Sequence, residues 1–260
     1  MKRKIIIGNW KMNPNTGKVA SKWFQEAARL VSRSKKTEIV ICPPFIYLDN
    51  LSRIRTSKIK LGAQDTFAEN PPAGGGPFTG EVSSEMLYNL GVGYVILGHS
   101  ERRAFGENNQ IVNKKIKGAL SAGLRPIVCV GEEERDESHK YFDIVKKQVK
   151  ECLAGISRDS FHKIILAYEP IWSISTTKAR RDAVPDDSRE MAVFIRKTLS
   201  DITTPAIANK VRILYGGSVN ERDAEGFLRD GRVDGVLVGQ ASLSVEKFIE
   251  IVRICEALKN

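Results

Sequence analysis

Eight short apolar runs, each followed by a segment of helical periodicity, divide this chain from end to end, and that alternation constrains its fold more than any single motif. The runs begin near Lys4, Glu38, Ile59, Gly93, Arg125, Lys163, Val211 and Asp234. Their residues are apolar at successive rather than alternate positions, the pattern of parallel strands covered on both faces. Parallel strands need a crossover between them, and a helix after each one supplies it. Eight such units in 260 residues match the size of a closed (β/α)8 barrel, so the expected class is α/β, with residues 1–260 forming one domain. An open doubly wound sheet is the alternative. Against it, no Gly-x-Gly-x-x-Gly fingerprint follows any strand, and polar motifs follow many strands instead of gathering at one switch point.

The sixth run, Ile164 to Tyr168, ends in Glu169-Pro170-Ile171-Trp172. A carboxylate delivered to a strand end beside Tyr168, Ile171 and Trp172 is poorly solvated, which makes it a stronger proton acceptor toward a carbon acid. Taken alone, a strand-end glutamate paired with an arginine for stability is the commoner case. Other strand ends add weight. The first is followed by Gly8-Asn9-Trp10-Lys11-Met12-Asn13, where Lys11 can hold an anion or stabilise negative charge developing on oxygen. The fourth is followed by Gly98-His99-Ser100-Glu101-Arg102-Arg103. His99 stands where a helix should begin, and the positive end of the helix dipole disfavours a second proton, leaving a neutral imidazole able to donate to a carbonyl. Glu101, Arg102 and Arg103 read as an ion-pair network fixing that loop, and Glu132 after the fifth strand as support behind the site.

Three longer connections also carry signals. The polar segment Ser173 to Val184, between Pro170-Ile171-Trp172 and Pro185, has the form of a lid that would exclude water from a carbanion. Tyr215-Gly216-Gly217-Ser218-Val219 and Gly239-Gln240-Ala241-Ser242 place glycines ahead of helices after strands seven and eight, where barrels often bind phosphate through backbone amides. The loop from Gln64 to Glu81 is long for a compact domain, and its Pro/Gly tip flanked by Phe67 and Phe78 fits burial against a second subunit or simple flexibility.

Composition narrows the function classes. Cys42, Cys129, Cys152 and Cys255 are widely spaced without a Cys-x-x-Cys pair, as expected of reduced core thiols in a cytosolic protein. Only three apolar residues follow Met1-Lys2-Arg3-Lys4, too few for a signal peptide, and no span reads as a transmembrane helix. The net charge of +10 raises nucleic acid as a partner. The basic residues are scattered over helices without interleaved aromatics, so steering of an anionic small substrate is the preferred reading, with no nucleic acid or membrane partner.

From Gly8-Asn9-Trp10-Lys11 to Val238-Gly239, these segments together resemble the triosephosphate isomerase family. The resemblance implies a TIM barrel, a glycolytic isomerase that interconverts glyceraldehyde 3-phosphate and dihydroxyacetone phosphate, and no metal or organic cofactor. It implies a catalytic set of Asn9, Lys11, His99 and Glu169, with Glu169 as base, His99 as neutral electrophile, Lys11 as cation and Asn9 orienting the substrate. By the same likeness, Ser175, Ser218, Gly239 and Gln240 join Asn9 and Lys11 in holding the phosphorylated substrate. Ser100, Glu101, Ile174 and Leu237 support them, the last two clamping Glu169. It further implies a cytoplasmic homodimer joined through the loop Asp65 to Gly80, with Thr79 near the partner's active site.

Some positions depart from the family's usual pattern. Ile174-Ser175-Thr176-Thr177-Lys178 stands where Ile-Gly-Thr-Gly-Lys is usual, Gly239-Gln240 where Gly-Gly is, and both the segment from Ala179 to Val184 and the loop from Thr66 to Pro77 are longer. If the replaced glycines needed positive φ, each substitution would cost roughly 1 kcal/mol. Two other readings follow from these departures: an isomerase of a longer sugar phosphate of the erythrulose phosphate type, or a barrel kept for binding without turnover. The second is opposed by the survival of Asn9, Lys11, His99 and Glu169 together.

Overall fold

The computed structural model describes residues 2–69, 75–135, 137–174 and 181–258. Eight parallel strands, β1 (Ile5–Asn9), β2 (Glu38–Cys42), β3 (Ile59–Ala63), β4 (Tyr94–Leu97), β5 (Arg125–Val130), β6 (Ile165–Tyr168), β7 (Arg212–Tyr215) and β8 (Gly235–Val238), close into a barrel in chain order. Each begins within two residues of its expected start. The ring closes where β1 pairs with β8, Ile5 opposite Gly235 and Gly8 opposite Val238.

Side-chain alternation along each strand divides the core in two. Ile5, Ile7, Val40, Ile96, Ile127, Ile165, Leu214 and Leu237 fill the barrel, while Ile6, Ile39, Ile41, Val95, Val128, Leu166 and Ile213 face the helices. Because both faces are dry, the strands read as unbroken apolar runs. Each helix turns one stripe inward: Gly17–Leu30, capped by Thr16 accepting from the Val19 N–H, buries Ala20, Trp23, Phe24 and Ala27. Among the described residues no helix is long and apolar enough to cross a membrane, and all four cysteines are buried and free.

The C-terminal strand ends gather Asn9, His99, Glu169, Gly216 and Gly239 at one mouth. The opposite mouth carries Glu38, whose carboxylate takes hydrogen bonds from Lys60 (2.8 Å), Arg212 (2.5 Å) and Tyr94. Burial alone would raise its pKa. The bonds from Lys60, Tyr94 and Arg212 outweigh that and lower it from 4.5 to about 2. A depressed carboxylate stabilises the fold above its unfolded value and loses that contribution as pH falls through the folded one. Glu38→Gln should therefore be less stable than the parent at neutral pH, and the gap should shrink as pH falls from 4.5 toward about 2. Urea unfolding across that range checks this, and a gap independent of pH would count against it.

Candidate active site

Glu169 follows β6 directly, its N–H held by the Val130 carbonyl at 2.8 Å, so sheet pairing fixes the root of the side chain. The residue is 2% exposed. Its Oε2 accepts the Ser100 backbone N–H at 3.0 Å. Its Oε1 makes no well-aligned hydrogen bond in the described protein and lies 3.3 Å from His99 Nε2. No arginine pairs with it among the described residues, which removes the commoner reading of a strand-end glutamate.

His99 caps the short helix Ser100–Ala104, and its Nδ1 accepts the Glu101 N–H at 3.2 Å. A nitrogen that accepts carries no proton, so the neutral ring bears its hydrogen on Nε2, the atom facing Glu169 and the cleft. Lys11 occupies the left-handed region, φ 52°, a conformation an L-residue holds only when its neighbours fix it. Here the Asn9 side chain accepts the Lys11 N–H at 2.9 Å, and Gln64 donates to the Lys11 carbonyl at 2.8 Å and to that of Cys42 at 2.9 Å. The Lys11 ammonium lies 2.6 Å from Glu101 Oε1.

One cleft joins these groups, lined by Asn9, Lys11, His99, Glu169, Ile174, Gly216, Gly217, Ser218, Val219, Leu237, Gly239 and Gln240. Ile174 and Leu237 are buried apolar walls. The Glu169 side chain runs close to Gly216, where an added Cβ would stand 3.1 Å from its Cγ. Behind the cleft, Glu132 is fully buried and accepts from the Tyr168 hydroxyl (2.7 Å), the Trp172 indole (2.9 Å) and Arg135 (3.1 Å). It thereby ties β6 to the turn Ile171–Ser173.

The structure corrects several sequence readings. Glu101 pairs with Lys11 across the mouth, not with its neighbours. Arg102 turns to Asp65 (3.1 Å) and Glu107 (2.7 Å), and Arg103 to Gly98 and Asn109. A helical rotation of roughly 100° per residue sends adjacent side chains in different directions. Ser173 is fully buried in a 3-10 turn rather than opening a polar lid. Ser175, with Thr176, Thr177 and Lys178, lies outside the described residues. Gly216-Gly217-Ser218 stands several residues before its helix, Ala224–Asp230. Gln240 opens the 3-10 turn Gln240–Leu243 and is not among the non-glycine residues with positive φ, so it carries no left-handed strain.

Three residues have roles at the site that the sequence did not disclose. Gln64 props Lys11, Gly131 lets the ends of β5 and β6 meet, and Cys129 sits beside Glu169. Burial pushes the Cys129 thiol well above its usual pKa, and the adjacent Glu169 carboxylate pushes it further. Only an unusual polar or glycine residue at a strand end could have marked the first two. Nothing marked the third. Among the described residues no three His, Cys, Asp or Glu side chains converge as a metal ion would require.

A closed (β/α)8 barrel with a buried carboxylate, an Nε2-protonated imidazole and a lysine around one apolar-walled cleft has the parts of an acid-base enzyme that moves protons. The sequence matches the triosephosphate isomerase family model over residues 4–255. It is 44% identical to the triosephosphate isomerase of Caldanaerobacter subterraneus subsp. tengcongensis, covering 97% of this chain and 99% of that protein. Those of Dictyoglomus thermophilum and Dictyoglomus turgidum are each 43% identical, over 97% of this chain and all of theirs. The chain belongs to the triosephosphate isomerase family.

Proposed function

We propose that the chain, acting as one catalytic domain, interconverts D-glyceraldehyde 3-phosphate and dihydroxyacetone phosphate by proton transfer through an enediolate, as a step of glycolysis and gluconeogenesis. The observation that carries this reading is the pairing of Glu169 Oε1 with His99 Nε2 at 3.3 Å in a cleft closed by Ile174 and Leu237. Glu169 Oε1 takes the proton from the carbon beside the carbonyl and returns it to the former carbonyl carbon, while the hydroxyl proton of the first carbon passes to the former carbonyl oxygen, so that carbonyl and hydroxyl exchange places. The Nε2–H of His99 donates to the carbonyl oxygen as charge builds there, and Lys11 stabilises that charge. Asn9 orients the substrate, and Ser218, Gly239 and the Gln240 amide receive the phosphate, with Ser175 assigned to the same role by the family resemblance. Ser100 and Glu101 hold Glu169 and Lys11 in place. A coupled assay with glyceraldehyde 3-phosphate tests this. Turnover supports it. Exclusive turnover of erythrulose phosphate would move the substrate to four carbons, and no turnover of either would leave a binding barrel.

Because Gln240 sits in a right-handed turn, restoring glycine there relieves nothing. Gln240→Gly should leave kcat/KM within about twofold of the parent and lower stability by about 0.5–1 kcal/mol through added backbone freedom. Steady-state kinetics and urea unfolding check both, and a tenfold gain in kcat/KM would show strain that the turn does not reveal.

We further propose a cytoplasmic homodimer. Met12 (90% exposed), Ile46 (78%) and Phe105 (83%), with Phe78 and Met86, are apolar side chains on loops and helices that follow β1 to β4, a concentration characteristic of a partner surface. The loop that carries Phe78 is braced at its neck by Phe67, ring centroids 4.7 Å apart, and by the Phe67 N–H on the Val82 carbonyl. Its tip, residues 70–74, lies outside the described residues. Deleting residues 74–77 should give monomers that lose most of their activity, as sedimentation and assay together would show. A fully active monomer of the unmodified protein would refute the assignment.

A further inference from the structure

The mouth opposite the cleft is closed by charges. Glu38, Lys60, Tyr94, Arg125 and Arg212 stand at the first or second positions of β2, β3, β4, β5 and β7, and the strand alternation that sends Val40, Ile96, Ile127 and Leu214 into the barrel sends them there too. Lys60 and Arg212 both pair with Glu38, at 2.8 and 2.5 Å. Tyr94 donates to the same carboxylate and accepts from Arg125 at 3.2 Å. Arg125 has no carboxylate of its own among the described residues, only the Tyr94 hydroxyl and the face of its ring, 5.5 Å away. Beside this group Lys2 and Arg196 share Asp234, at 3.8 and 3.3 Å. Five cations thus face two carboxylates.

Arg212 is 7% exposed, yet its Nη2, like Arg125 Nε, is closed to solvent and has no acceptor in the described protein. A guanidinium keeps its protons, and a buried donor without an acceptor is costly. Water could accept these hydrogens but would leave the repulsion among Lys60, Arg125 and Arg212 in place. An anion answers both. We propose that this mouth binds a halide-sized inorganic anion between the guanidinium groups of Arg212 and Arg125, at a site separate from the substrate cleft. A single-atom anion needs less room beside such closed nitrogens than a tetrahedral oxyanion, which favours chloride over phosphate. Occupancy neutralises part of the charge excess and stabilises the barrel floor, leaving the catalytic mouth untouched.

The test is thermal unfolding of the full-length protein in sodium chloride, against sodium gluconate at equal ionic strength, with a bromide-soaked crystal read by anomalous scattering. The expected result is a saturable rise in the unfolding midpoint with chloride over gluconate, and a bromide peak in hydrogen-bond reach of Arg212 and Arg125. Arg125→Gln should weaken the chloride response by about tenfold or more while kcat stays at the parent value. Arg125→Lys, which keeps the charge and loses the Nε donor, should weaken it as well and guards against a poorly folding glutamine variant. Inorganic phosphate is a further arm: equal stabilisation of parent and Arg125→Gln would place phosphate in the substrate cleft and support a halide-only floor. Superimposed chloride and gluconate curves, or an Arg212 Nη2 hydrogen-bonded to water in the bromide crystal, would overturn the proposal.

Discussion

Glu169→Gln should lower kcat by at least roughly 100-fold, the scale of a lost general base, while the unfolding midpoint stays near that of the parent. The amide keeps the shape of the carboxyl, and its oxygen can still accept the Ser100 N–H that Glu169 Oε2 accepts at 3.0 Å. What it cannot do is take a proton from carbon. The amide nitrogen would occupy the place of Oε1, 3.3 Å from His99 Nε2, so two donors would face each other where an acceptor now faces a donor. KM should change far less than kcat, because the phosphate is held elsewhere. A variant that kept most of its turnover would make Glu169 a structural residue.

Gly131→Ala should be nearly as damaging although Gly131 touches no substrate. A Cβ placed there would stand 1.8 Å from the Glu169 carbonyl oxygen and 2.6 Å from its carbon, both backbone atoms without rotamers to yield. The ends of β5 and β6 would have to part. That would stretch the bond from Glu169 N–H to Val130 and strain the pair of hydrogen bonds between Gly131 and the Gln148 amide, 2.8 and 3.0 Å. Overpacking of this kind costs about 1–3 kcal/mol, and a shift of about 1 Å in the base lowers turnover by about 100-fold. Unfolding midpoint and kcat should fall together. Gly17→Ala is the control, since its Cβ meets only ordinary contacts at 3.8 Å and beyond. Parent-like behaviour of Gly131→Ala would mean that the strand junction does not position the base.

The contrast between these two residues shows what the sequence can disclose. Glu169 ends an apolar run, so its burial and its place at a strand end are written in its neighbours. His99 is legible for a similar reason, being the polar residue at a strand-to-helix junction. The barrel is legible because doubly covered parallel strands leave unbroken apolar runs whose starts can be placed within two residues. Gly131 is not legible, because its importance lies in a contact with Glu169, 38 positions away. The same holds for Glu101, whose partner Lys11 arrives from another strand end while Arg102 and Arg103, adjacent in sequence, turn elsewhere. Gln240 misleads in the other direction. A glycine is usual there, yet the backbone does not require one. The charged floor around Glu38 was hidden for a third reason: its members come singly from five strands, each one polar residue at the edge of an apolar run.

The proposed role of Glu169 is to move a proton between carbon and solvent-exchangeable sites. Incubating dihydroxyacetone phosphate with the enzyme in deuterium oxide, and following the carbon next to the carbonyl by NMR, measures that step separately from product release. Deuterium should enter that carbon with the native protein and at least about 100-fold more slowly with Glu169→Gln. Deuterium entering at the native rate in the variant would contradict it.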